Sequence, residues 1–118
     1  MRVDVRKVED VIVVDLQGRL VSGTGDQLLR EVMNELLASS WTKILLNLSE
    51  VSKIDSAGIG ELVASIRLAE RFDSKVKLVH VRGQIRDILE LSQILPLIEV
   101  HDSEDSAVVA FETGAGSD

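Results

Sequence analysis

The sequence contains no cysteine. That removes disulfides, thiolate zinc sites, redox pairs and cysteine nucleophiles together. It has one tryptophan, two phenylalanines and no tyrosine. So few aromatics leave no stacking platform for single-stranded nucleic acid, and Val, Ile, Leu and Ala must supply the core. Basic residues are also short: 13 Lys and Arg stand against 20 Asp and Glu, a net charge of −7. A nucleic-acid binder needs the opposite surplus to displace counterions from phosphates, and no stretch concentrates Lys or Arg. The acidic field favours a partner with a basic face. No apolar run approaches the ~20 residues that span a bilayer, and Met1 to Arg6 lacks a signal-peptide core. The expectation is a soluble, cytoplasmic protein without membrane or nucleic-acid contacts.

What is present suits one domain: 118 residues, 45% of them apolar, fall in the usual single-core range. Val3, Val5 and Val8 alternate with charged residues as in a half-exposed strand. Glu9-Asp10 reads as a turn, and Val11 to Leu16 as a second strand of the same hairpin, ended by Gly18. Residues 24–39 carry Leu28, Leu29, Val32, Met33, Leu36 and Leu37 at the spacing of one helical face, with Thr24 as N-cap and Asp26 in the first turn. Lys43 to Leu48 is a short apolar run, as in a strand buried on both faces. Ile59, Leu62, Val63, Ile66 and Ala69 mark a second helix over 57–72, broken at Asp73-Ser74. Val76, Leu78, Val79 and Val81 predict a strand. Gly83 opens a shorter helix with Ile85, Ile88 and Leu89 inward. Pro96 lies in a connection before a short strand at Ile98 to Val100. Residues 103–112 predict a last helix, capped by Ser103, with Ala107, Val108 and Phe111 inward. Residues 113–118 read as a frayed tail. The order β-β-α-β-α-β-α-β-α implies an α/β domain over residues 1–112: a mixed, mostly parallel sheet of four to five strands with about four packed helices.

Several residue groups could carry chemistry. Gly18 and Gly23 have the separation of a phosphate-binding loop, but Thr24 stands where that loop needs its lysine. His80 and His101 fall on different elements, and no helical or hairpin spacing joins them, so a zinc site lacks ligands. Ser56 with His80 and a carboxylate could be drawn as a hydrolase, yet Ile54-Asp55-Ser56-Ala57-Gly58 lacks the first glycine of a nucleophile elbow. Glu31 with Glu35, and Arg67 with Glu70 and Arg71, read as a solvated face. The segment Ile54 to Gly60 is the most specific. Asp55 or Ser56 can cap the helix that follows. Gly58 and Gly60 cost helix propensity, about 1 kcal/mol each in a helix interior. Such a cost implies close approach by neighbouring chain or by a partner.

The stretch Lys43 to Val63 resembles the signature of the STAS domain, and more narrowly that of bacterial anti-sigma factor antagonists. Their pattern is an apolar strand ending in Asn/Asp-Leu, a short loop, then Asp-Ser-x-Gly-Leu/Ile-Gly. Here these are Asn47-Leu48, the loop from Ser49, and Asp55 to Gly60. The element order across residues 1–112 fits as well. The resemblance implies a regulatory binding module rather than an enzyme, with Ser56 as the phosphorylated residue. It implies a partner surface of Asp55, Ser56, Ala57, Gly58, Ile59 and Gly60 with the facing loop Leu20, Val21 and Ser22. The partners it implies are an anti-sigma factor that is also a serine kinase, and a serine phosphatase. ATP and Mg would belong to the kinase, so this chain needs no cofactor or metal.

Two departures from the pattern stand out. Ala57 replaces a second hydroxyl residue found in several relatives, leaving Ser56 as the only acceptor in the motif. Val21 replaces an acidic residue that many antagonists carry after Gly-x-Leu. Other STAS proteins act as scaffolds, or as regulatory units of signalling or lipid-transport assemblies, and this is the alternative reading.

Overall fold

The computed structural model describes residues 1–113. In chain order the elements are β1 (Arg2–Val8), β2 (Val11–Leu20), α1 (Gly25–Ala38), β3 (Lys43–Ile54), α2 (Ser56–Arg71), β4 (Lys75–Val79), α3 (Gly83–Leu91), a 3-10 turn at Leu95–Leu97, β5 (Glu99–His101) and α4 (Glu104–Thr113). The five strands form one sheet in the order β1-β2-β3-β4-β5. β1 and β2 are antiparallel, and every other neighbouring pair is parallel. The predicted single domain and mixed sheet are thus present. Thr113 closes α4 rather than opening a tail, and residues 114–118 lie outside the described residues. No helix of the described residues is long and apolar enough to cross a membrane.

The central strands are apolar on both sides, so each face needs a cover. One face carries Ile12, Val14, Leu16, Ile44, Leu46 and Leu78, which pack with Leu29, Met33, Leu62, Ile85 and Leu89 of α1, α2 and α3. The other carries Val11, Val13, Leu45 and Val79, which pack with Ala107, Val108 and Phe111 of α4. The inward residues predicted for α4 therefore form a second, smaller core behind the sheet.

Two strands are longer than expected. β2 does not end at Gly18 but continues to Leu20, and β3 runs past Leu48 to Ile54. Gln17, Gly18, Arg19 and Leu20 pair with Glu50, Val51, Lys53 and Ile54. The polar stretch Ser49 to Lys53 is strand, not loop. The register slips twice along this ladder, between Asp15 and Gln17 and between Gly18 and Arg19. Each slip places an extra residue in β3, a bulge. The bulges turn the inward rhythm of β3 from two to three, so that Leu48, Val51 and Ile54 are the buried positions. Asn47 steadies the first bulge: its Oδ1 accepts from the Ser49 N–H at 3.0 Å, and its Nδ2 donates to Asp15 Oδ1 at 2.8 Å. At the far end, β5 is Glu99–His101, one residue later than predicted. The extension of β2 and β3 carries both strands to the end of the sheet where α1 and α2 begin.

Candidate functional site

The end of β2 and the start of α2 are joined through one side chain. Asp55 occupies the N-cap of α2 in extended backbone, and its Oδ1 accepts the Gly58 N–H at 3.0 Å. Its Oδ2 accepts the Ser22 N–H at 3.0 Å, and its own N–H donates to Leu20 O at 3.4 Å. One carboxylate thus caps a helix and pins the loop after β2. The N–H of Ser22 first and of Gly58 next hold the Asp55 carboxyl below the usual carboxylate range. Of the two capping candidates, Asp55 is the one that caps.

The loop between β2 and α1 is ordered from within. Asp26 Oδ1 accepts from the N–H groups of Gly23 at 2.9 Å and Gln27 at 2.8 Å. Thr24 stands at the N-cap of α1, but its side chain makes no capping bond. The helix start predicted from Thr24 is right in position, while the acceptor is Asp26.

Ser56 is the first residue of α2 and is exposed. Among the described residues no group hydrogen-bonds its hydroxyl, and no base is placed against it. Ala57 and Ile59 are half-buried, with Ile59 packed against the core, and Gly60 is exposed. Leu20 and Gly58 are buried. These two residues shape the site from beneath, whereas Val21, Ser22, Asp55, Ser56, Ala57, Ile59 and Gly60 present surface.

The two glycines separate clearly. A Cβ on Gly58 would lie 2.1 Å from Leu20 O and 2.9 Å from Ile54 Cγ1. Gly58 is therefore required by this chain's own packing of α2 on β2. A Cβ on Gly60 would meet nothing within 4 Å. The fold does not ask for Gly60, which leaves the space above it open.

His80 and His101 are brought together, which the sequence reading did not foresee. Parallel pairing of β4 and β5 sets Val79 beside His101, and the His80 N–H donates to His101 O at 3.3 Å. Their rings serve different surroundings. His101 Nε2 lies 2.6 Å from Glu99 Oε2, while His80 Nδ1 is buried without a partner among the described residues. The described residues contain no cluster of three or more His, Asp or Glu placed to hold a metal.

Reading the sequence missed the double duty of Asp55 and the bracing by Asn47. A polar residue between Leu46 and Leu48, inside an otherwise apolar run, was the available signal for Asn47. The Asp55 to Ser22 link had no local signal, because it depends on β2 and β3 ending side by side.

The family model described as the STAS domain matches residues 2–107. The anti-sigma F factor antagonist of Paenibacillus polymyxa is 20% identical over 112 residues, covering 95% of this chain and 96% of that protein. The crystal structure of an anti-sigma factor antagonist from Mycobacterium paratuberculosis superposes with a TM-score of 0.81 at 22% identity, covering 92% of each chain. The Bacillus cell fate determinant SpoIIAA in its phosphorylated form gives a TM-score of 0.70 at 19% identity, covering 93% of this chain and 99% of that one.

Proposed function

This chain belongs to the STAS domain family, and from that premise we propose that it acts as an anti-sigma factor antagonist whose binding is switched off by phosphorylation of Ser56. In this reading the unmodified chain engages an anti-sigma factor through the surface around Ser56, so that a sigma factor is released. The anti-sigma factor is also the serine kinase, and it brings the ATP and Mg. A serine phosphatase restores the unmodified state. The chain itself is a regulatory binding module of the cytoplasm and catalyses nothing.

The observation that carries the reading is the placement of Ser56: exposed, its hydroxyl bonded to no group among the described residues, and first in a helix whose start is locked by Asp55. Phosphate on Ser56 adds about −1.5 to −2 charge at neutral pH. A helix N-terminus tolerates that charge, because its free N–H groups and dipole favour anions. The added group therefore acts on what touches the surface. A bulky dianion beside Asp55 would keep a closely packed partner away. A loss of about 3 kcal/mol lowers affinity more than a hundredfold. The open space over Gly60 and the small Ala57 suit a partner backbone that comes close.

The test is a paired affinity purification from the native cells. The baits are wild type and Ser56→Asp, each first shown to be folded. Recovery of a small ATPase-fold kinase on wild type alone, and transfer of phosphate from ATP to wild type but not to Ser56→Ala by that kinase, is the expected result. Equal recovery of the same partners on both baits would end the phosphoswitch reading and favour a scaffold role.

A further inference from the structure

The two edges of the sheet differ. β5 offers only Glu99–His101, just after a turn that contains Pro96. β1 offers seven residues, Arg2–Val8, with no proline and no slip in its register against β2. Proline, bulges and short length protect many edges, and β1 has none of these three; its protection is charge, at Arg2, Asp4, Arg6 and Lys7, which blocks pairing except where opposite signs meet. Val5, at its centre, is 49% exposed.

The hairpin fixes which β1 groups are free. Val8 pairs with Val11 across the turn Glu9-Asp10, so this closing pair is hydrogen-bonded and the bonding alternates from there. Arg2, Asp4, Arg6 and Val8 direct their N–H and C=O groups to β2. Val3, Val5 and Lys7 direct theirs outward.

We propose that the outer edge of β1 pairs with the same edge of a second copy, antiparallel and centred on Val5, so that two five-stranded sheets become one across a twofold axis. In this register Val5 faces Val5 of the second copy, and each Val3 faces a Lys7. All outward groups are matched in hydrogen-bonded pairs. Asp4 then falls opposite Arg6 on both sides of the axis, in the closer non-bonded pairs where opposite charges attract. Sliding one step that preserves the bonding sets Asp4 against Asp4. Sliding the other way sets Arg6 against Arg6. Like charges oppose both slips, and only the centred register uses the whole strand. Within one copy Asp15 and Glu104 hold the Arg6 guanidinium, and Arg2 and Gln17 meet Asp4 through its Oδ2; one Nη1 hydrogen of Arg6 and the Oδ1 of Asp4 are left for the pairing among the described residues. The Lys7 stem can lie over Val3 while its ammonium stays in water. β2 separates this edge from β3 and the Ser56 surface, so the pairing is independent of the proposed phosphoswitch.

Sedimentation velocity of the full chain from about 1 µM to about 1 mM, the range expected for small interfaces, should show a reversible monomer–dimer equilibrium. Asp4→Lys should weaken it at least about tenfold by setting like charges opposite. Val5→Pro should abolish it while keeping the hairpin, because that N–H points away from β2. Amide exchange supplies a second readout. Val3, Val5 and Lys7 should gain protection as concentration rises, whereas Asp4 and Arg6 should be protected throughout. A chain that stays monomeric over the whole range overturns the proposal, as does a dimer that survives in folded Val5→Pro or in Asp4→Lys. Outer-edge protection that appears only when another protein is added would assign the edge to that partner and equally overturn self-pairing.

Discussion

Gly58 and Gly60 are two residues apart on one helix, yet their substitution by alanine should act in opposite directions. At Gly58 the new methyl would press on the backbone oxygen of Leu20, which cannot yield without moving β2. Overpacking of this kind costs about 1–3 kcal/mol, so Gly58→Ala should lower Tm by several degrees in a thermal melt. At Gly60 the methyl enters open space, and helix propensity improves by up to about 1 kcal/mol. Gly60→Ala should therefore raise Tm. If the proposed partner approaches there, the same variant should bind it less well, which calorimetry with the recovered partner would read directly. The sequence showed that glycine was costly at both positions. It could not show that one answers to the fold and the other does not, since that depends on where β2 ends.

Asp55 carries a pH prediction at the same scale. Its carboxyl is held below the ordinary range by the N–H groups of Ser22 and Gly58. A depressed folded pKa stabilises above the unfolded value, near 3.9 for Asp, and that contribution is lost as pH falls through the folded value. Wild type should lose stability on acidification below about pH 4 more steeply than Asp55→Asn. Urea melts of the two proteins across pH 2 to 6 (roughly the carboxylate range) would read the difference, and parallel curves would rule out this role for the carboxylate.

At the scale of elements, three helices end in the same way and none uses glycine. After α1, α2 and α3 the residues Ser40, Asp73 and Gln93 have positive φ, at 67°, 56° and 58°. In each case the next N–H reaches back to close the last turn: Trp41 to Leu36 O, Ser74 to Ala69 O and Ile94 to Leu89 O. This is the Schellman arrangement, whose left-handed residue is most often glycine. A side chain in that conformation costs about 1–2 kcal/mol, and somewhat less for Asp or Asn, which bond locally. Gln93→Gly should therefore raise stability by up to about 1 kcal/mol, with Asp73→Gly gaining less. Chemical denaturation of the two variants would check both the sign and the order. The absent glycines also explain how well these boundaries could be read. The end of α2 was legible from Asp73-Ser74, whereas periodicity alone marked the end of α1. The long tail of β3 was not legible, because two bulges replaced alternation with a three-residue rhythm at Leu48, Val51 and Ile54. Likewise β5 brings His101 to His80 by a parallel pairing that has no local signature. The Asp55-Ser56-Ala57-Gly58 signature was legible because helix starts are written locally.

At the scale of the whole molecule, the proposed switch would act without a change of shape. α2 begins at a point fixed three times over: Asp55 is tied to Ser22, Gly58 is seated on Leu20, and Leu62 is fully buried against the sheet one turn later. α4 lies on the opposite face with its own core, and among the described residues it shares none of the hydrogen bonds made by Asp55. Negative charge at position 56 meets a helix N-terminus, where it contributes a favourable 0.3–1 kcal/mol or so, partly offset by the neighbouring carboxylate of Asp55. Ser56→Asp should consequently melt within a few degrees of wild type. Its amide chemical shifts should change only across residues near 20–26 and 55–60, while those of α4 and β5 stay in place. If the proposed function holds, binding to the anti-sigma partner should nonetheless fall by more than about a hundredfold. That combination, a fold at rest and an interface lost, locates the effect of the charge at the surface. Shift changes that spread to β5 or α4 would instead mean that charge at residue 56 moves the sheet, and the rigid switch would have to be abandoned for a conformational one.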